Sequence, residues 1–97
     1  MTYLTIARIP GDPQSLLDGY QQTAETMSGV GRDHGLIFHA AGKTGEGLLI
    51  VNLWPSRANS QAAAEDGRRR DVIRQHDLAP GGIRYEHQEM AEYALLG

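Results

Sequence analysis

The chain has no cysteine among its 97 residues. That removes disulfides, thiolate metal ligands and cysteine nucleophiles together, and it fits a reducing cytoplasm as the expected location. Positive charge is not in excess: nine Lys and Arg stand against twelve Asp and Glu, for a net charge of −3. This balance argues against nucleic acid or a membrane as partner. The one basic cluster, Arg68-Arg69-Arg70, is bracketed by Asp66 and Asp71 and reads as a solvated helix face, with an anion site as the lesser alternative. No apolar run approaches the roughly 20 residues of a membrane helix. MTYLTIARIPGD has no basic stretch leading into a long apolar core, so no signal peptide is expected. There are no repeats and no low-complexity segments. A chain of this length makes one domain, expected over residues 1–97, and buries only about 60–65% of its unfolded surface.

Motifs for bound groups are missing too. His34 and His39 are five apart on a loop and a strand, His76 and His87 fall on different elements, and none has the spacing of a metal site. Gly42-Lys43-Thr44 lies in a hairpin, without the upstream glycine of a phosphate loop. Ser15, Ser28, Ser56 and Ser60 show no nucleophile-elbow pattern. Neither a metal nor a cofactor is therefore expected.

What is present is a clear alternation of elements. Thr2–Ile9 is rich in β-branched and aromatic residues and stops at Pro10-Gly11, a strand with Leu4 and Ile6 on one face and Tyr3, Thr5, Ala7 and Ile9 on the other. Asp12 followed by Pro13 starts a helix, along which Leu16, Leu17, Tyr20, Ala24 and Met27 recur at spacings of three and four; Gly29 and Gly31 are expected to end it. Leu36–Ala41 and Leu48–Trp54 flank a glycine-rich turn and predict a hairpin. Ser56 caps a second helical region that breaks at Asp66-Gly67 and continues over Arg68–Asp77. Ile83–Tyr93 is the last strand, with Ile83, Tyr85 and His87 on one face.

The order β-α-β-β-α-β predicts an α+β, ferredoxin-like fold: a four-stranded antiparallel sheet with helices on one face. Two helical layers cannot cover the second sheet face, which is apolar in LLIVNLW. Pairing of two open faces into a homodimer is the economical solution.

The hairpin LIFHAAGKTGEGLLIVNLWPS, the tryptophan that closes its second strand and the serine just after it resemble the dimeric α/β-barrel superfamily, and within it antibiotic-biosynthesis-monooxygenase-type domains. The resemblance covers nearly the whole chain. It implies a homodimeric barrel, and activities that range from cofactor-free quinone-forming oxygenation to haem degradation. The haem-degrading branch uses a first-strand asparagine, a tryptophan in the second helix and a histidine two to three turns later. Here the first strand offers Thr5 and Arg8, Arg57–Asp77 contains no tryptophan, and only His76 corresponds.

The quinone-forming branch needs a proton acceptor, an amide or hydroxyl for the phenolate oxygen, and aromatic walls. The resemblance suggests His39 and Asn52 as the catalytic pair and Trp54, Tyr3, Tyr85 and His87 as substrate-binding walls. If Ala41 pairs with Leu48, His39 and Asn52 share a sheet face; a slip of one residue separates them. The blander account of each is structural: a hydrogen-bonded polar group in a strand for His39 and Asn52, core packing for Trp54 and Tyr20, an interface contact for His87. His34, in a loop beside glycine, reads as exposed. Three functions remain open on sequence: a small cofactor-independent monooxygenase acting on an aromatic or polyketide-like molecule, a non-catalytic homodimeric small-ligand-binding or accessory protein, or, with two of its three marker residues missing, haem binding and degradation. A catalytic role requires His39 and Asn52 to point between sheet and helices; dimer packing requires them in the barrel centre.

Overall fold

The computed structural model describes residues 1–93; positions 94–97 of the expected domain lie outside the described residues. The elements follow as β1 (Thr2–Pro10), α1 (Pro13–Gln22), α2 (Ala24–Asp33), β2 (Phe38–Lys43), β3 (Gly47–Trp54), α3 (Arg57–Ala64), α4 (Gly67–Gln75) and β4 (Arg84–Met90). The strands form one antiparallel sheet in the order β2-β3-β1-β4. The consecutive helix pairs α1–α2 and α3–α4 each stand where a single helix was expected, which gives the ferredoxin-like α+β architecture.

The helix starts follow from their caps. The Asp12 carboxylate accepts from the Ser15 amide at 2.8 Å, Ser56 Oγ accepts from the Asn59 amide, and Asp66 Oδ1 accepts from the Arg68 amide. The helix end expected at Gly29 and Gly31 lies elsewhere. The hydroxyl of buried Thr23 donates back to the Tyr20 carbonyl at 2.7 Å and divides the helix there. α2 then runs through both glycines to Asp33. Gly31 serves packing instead: a Cβ on it would sit 2.7 Å from the Leu36 side chain. Leu36 closes this end of α2, so β2 starts at Phe38, two residues later than the sequence suggests, and β4 spans Arg84–Met90 rather than Ile83–Tyr93.

Strand parity sorts the side chains as expected. Tyr3, Thr5, Ala7 and Ile9 face the helices, paired with Trp54, Asn52, Ile50 and Leu48 respectively. Leu4, Ile6, Leu49, Val51, Leu53 and Phe38 share the opposite, helix-free face. The hairpin register places Ala41 opposite Ile50, not Leu48, and His39 directly opposite Asn52. The shift is two residues, so parity is kept.

The helix-covered core is in two parts. Tyr3, Val30, Trp54 and Ala63 pack at one end, with Leu36 against them; Ile9, Leu16, Tyr20 and Leu48 pack at the other. Between them the interior is open.

Gly47 sets the closure of the hairpin against β1. A Cβ there would lie 1.9 Å from the Ile9 carbonyl oxygen, while Gly45, in the turn, has nothing within 4 Å. Gly47→Ala is expected to destabilise the fold by at least about 2 kcal/mol, and Gly45→Ala to stay within about 0.5 kcal/mol, in denaturant unfolding. Equal effects would show that the close approach at Gly47 is not maintained in solution.

Candidate functional site

The gap between sheet and helices is a cavity of about 770 Å³, within the size range of small-molecule sites. Its floor is the helix-facing side of the sheet. The registers His39↔Asn52, Asn52↔Thr5 and Thr5↔His87 line up one polar row across all four strands. Tyr85 follows one pair further along β4, opposite Ala7. The roof is apolar over most of its extent, with Met27, Val30, Ala63 and Ile73 from the helices.

At the β2 edge, three side chains are joined. His39 Nδ1 lies 2.6 Å from Asn52 Oδ1, and His39 Nε2 lies 2.8 Å from the Tyr20 hydroxyl. An amide oxygen only accepts, so Nδ1 carries the hydrogen and donates. The bare Nε2 accepts from Tyr20. The ring is thus fixed in one tautomer, with its basic nitrogen on the Tyr20 side. Tyr20 comes from α1, where it shares the inward face with Leu16 one turn earlier, and its ring lies across that of His39 at 6.0 Å between centroids. Burial pushes the Tyr20 phenol up to about 12, because the phenolate would lose its hydration.

At the β4 edge, the rings of Tyr3, His87 and Tyr85 form a ladder, with centroids 5.7 Å and 5.8 Å apart. Arg69 reaches this edge from α4 and donates from Nη2 to the Tyr85 hydroxyl at 2.5 Å. In the middle, Trp54 Nε1 donates to Thr5 Oγ1 at 3.3 Å, which fixes the indole against the floor.

Of the residues singled out on sequence, His39, Asn52, Trp54, Tyr85 and His87 line the cavity. Tyr3 does not line it; it packs in the buried cluster with Trp54 and stacks on His87. Two lining residues were read otherwise: Tyr20 as packing and Arg69 as part of a solvated face. No single-element pattern could have exposed either, since each acquires its role from a strand it meets across the cavity.

His34 is also not the exposed loop residue expected. Its Nε2 donates to Asp66 Oδ2 at 3.0 Å, and Arg68 binds Asp66 and Asp33 at 2.8 and 2.9 Å. The Arg68 guanidinium first, and then His34, hold the Asp66 carboxyl well below the usual carboxylate range. This network ties the end of α2 to the start of α4, and so sets the helix that carries Arg69. Among the described residues no helix is long and apolar enough to cross a membrane.

The buried Tyr20 phenol predicts an alkaline instability. The folded-state value is above the ordinary value of 10, so the folded chain holds the proton longer. Its contribution is complete below pH 10 and is lost as pH rises toward about 12, amounting to about 2 kcal/mol. Denaturant unfolding across this window should show a fall that Tyr20→Phe flattens; an identical slope in the variant would refute the assignment.

No family model matches the chain, and no curated protein matches it. Among solved structures, the chain is similar to a protein from Chloroflexus aurantiacus J-10-fl whose own assignment as an antibiotic biosynthesis monooxygenase is provisional. The two share 13% sequence identity and a TM-score of 0.69, over 100% of each chain. The likeness is one of fold: the described residues have the ferredoxin-like α+β arrangement of that protein.

Proposed function

We propose that this protein is a small cofactor-independent monooxygenase acting on an aromatic or polyketide-like molecule bound between sheet and helices. The observation that carries the reading is the Tyr20–His39–Asn52 chain in the wall of a largely apolar cavity. The pair points between sheet and helices, the side that a catalytic role requires.

The chemistry assigns each group a task. Nε2 of His39 is the proton acceptor, held in that tautomer by Asn52. Its one lone pair already accepts from Tyr20, so the substrate proton reaches it through the hydroxyl: the Tyr20 oxygen takes the substrate proton as its own passes to Nε2, and the new N–H then donates back to that oxygen. Tyr20 ends the transfer protonated, and burial keeps its phenol neutral up to about pH 12. The Asn52 amide, whose oxygen is engaged by His39, keeps its N–H donors for the substrate oxyanion. Trp54 and His87 supply flat walls for rings.

For an anthrone as model substrate, the methylene carbon gives a proton to His39, and the resulting carbanion gives electrons to dioxygen. A carbon–oxygen bond forms, giving a hydroperoxide. Loss of the second methylene proton and cleavage of the O–O bond leave the quinone carbonyl and one water. The substrate is the only reductant, and the sum is anthrone plus dioxygen to anthraquinone plus water. Oxygen uptake and quinone formation with anthrones and hydroquinones test the reading. His39→Ala is expected to reduce turnover about 10²–10⁴-fold, with the fold intact by circular dichroism. Asn52→Leu should lower it as well, by loss of both the tautomer constraint and the oxyanion donor. A folded His39→Ala protein as active as the parent would refute the mechanism, and a parent that binds aromatic molecules without consuming oxygen would favour the non-catalytic ligand-binding alternative.

We infer also that the protein is a homodimer joined through the helix-free sheet face, where Leu4, Ile6, Leu49 and Val51 stand beside Phe38, itself 44% exposed. Burying such a face stabilises a chain of this size. Val51 is on that face, whereas Ile50 lines the cavity. Val51→Asp should give a monomer or aggregate in light scattering at concentrations where the parent is dimeric; a variant still dimeric would exclude this interface.

A further inference from the structure

The cavity carries a charge bias unlike that of the chain. Twelve acidic residues outnumber nine basic ones overall, yet among the described residues no Asp or Glu lines the cavity, while Arg32 and Arg69 do. The three arginines of the α4 cluster are used differently. Arg68 is held by Asp66 and Asp33, and Arg70 lies beside Asp71 at 3.5 Å. Arg69 is turned inward, half-buried, and its described partner is the neutral Tyr85 hydroxyl. A guanidinium has five donors in a fixed fork, and a phenol takes one of them. A guanidinium on the cavity wall with donors to spare favours an anion there, because charge-assisted bonds are stronger than neutral ones and its planar fork matches a carboxylate.

We propose that the ligand of this cavity carries an anionic group, a carboxylate, that Arg69 binds with Tyr85 at the β4 edge, away from His39. The proposal rests on the reading of the cavity as a small-molecule site and names the substrate class for it. Position supports it. His39 and Tyr85 lie on the two edge strands of the sheet order β2-β3-β1-β4, about three strand spacings or roughly 14 Å apart at the backbone. A ligand that reaches both has a fused-ring body over Trp54 and Thr5, its reacting carbon near His39, and its acid at the opposite end. Arg32, on the last turn of α2, adds a second positive charge to the cavity rim. Recognition by a charge at the far end would also fix which ring position meets the base.

The test uses naphthoate and its uncharged counterpart naphthamide, with binding followed by Trp54 fluorescence and by calorimetry on the full chain. The parent is expected to bind naphthoate about tenfold or more tightly than naphthamide. Arg69→Gln should abolish that preference by weakening naphthoate about tenfold or more and naphthamide far less, and Arg69→Lys should restore part of it by restoring charge. Arg70→Gln, on the same helix but outside the cavity, should change neither. Equal binding of acid and amide by the parent overturns the proposal while leaving the small-molecule reading in place. So does an Arg69→Gln variant that weakens both probes equally, since that outcome marks Arg69 as a packing residue. Failure of the parent to bind either probe removes the cavity reading itself, and the proposal with it.

Discussion

Strand register is the constraint on which everything else in this molecule depends. Side chains alternate across a strand, so a slip of one residue between β2 and β3 would send either His39 or Asn52 to the helix-free face. The observed pairing puts them directly opposite each other and continues the row through Thr5 to His87. Register is in turn held by how the faces divide. Apolar Leu4, Ile6, Val51 and Leu53 all fall on one side, and no slip of one residue preserves that division. Gly47 adds a steric lock at the hairpin base, where the Ile9 carbonyl leaves no room for a side chain. Local backbone geometry therefore determines whether His39 and Asn52 meet.

The second constraint is the incomplete filling of the interior. A small chain has little core to spare, and here it is divided between a cluster around Trp54 and another around Leu48. Several polar groups in the gap are paired. His39 is satisfied on both ring nitrogens, Trp54 has Thr5, and no buried side-chain polar atom among the described residues lacks a partner. A cavity can persist at low cost when its polar lining is paired internally and its remaining surface is apolar. The Arg68–Asp66–His34 network contributes at a distance, since it fixes α4 against α2 and thereby keeps Arg69 on the cavity side.

Much of the fold was legible in the sequence, for identifiable reasons. Period-two alternation in Thr2–Ile9, the glycine-rich turn before Leu48, and caps at Asp12, Ser56 and Asp66 are local signals, and each element they announce is present. The departures have physical causes outside the local pattern. Thr23 splits a helix through a side-chain bond to its own backbone, and Gly31 looked like a terminator because its packing partner, Leu36, lies beyond the helix. The candidate site was half legible. Polar residues inside apolar strands marked His39 and Asn52, and the aromatic residues of β4 could be placed by parity. Tyr20 and Arg69 could not be read in advance. Each sits on a helix whose own pattern assigns it to packing or to solvent, and only the three-dimensional meeting with His39 or Tyr85 changes that.

In the proposed function, the two ends of the cavity divide the work that an oxygenation without metal or flavin demands. Such a reaction needs a substrate anion that forms easily and a fixed orientation toward dioxygen, because no cofactor corrects a misplaced ring. On the proposed reading, the β2 edge supplies His39 as a base of defined tautomer, next to the Asn52 amide as donor to the negative oxygen. The β4 edge supplies aromatic stacking and, in the proposal argued above, a cation that anchors the far end. Positive charge at that distance also favours the anionic form of a ligand before its reacting carbon loses a proton, yet it is too remote from His39 to compete with it as a partner for the new anion. On that reading, keeping the anchor and the base on opposite edge strands of one sheet separates orientation of the substrate from its deprotonation, so that neither charge cancels the other.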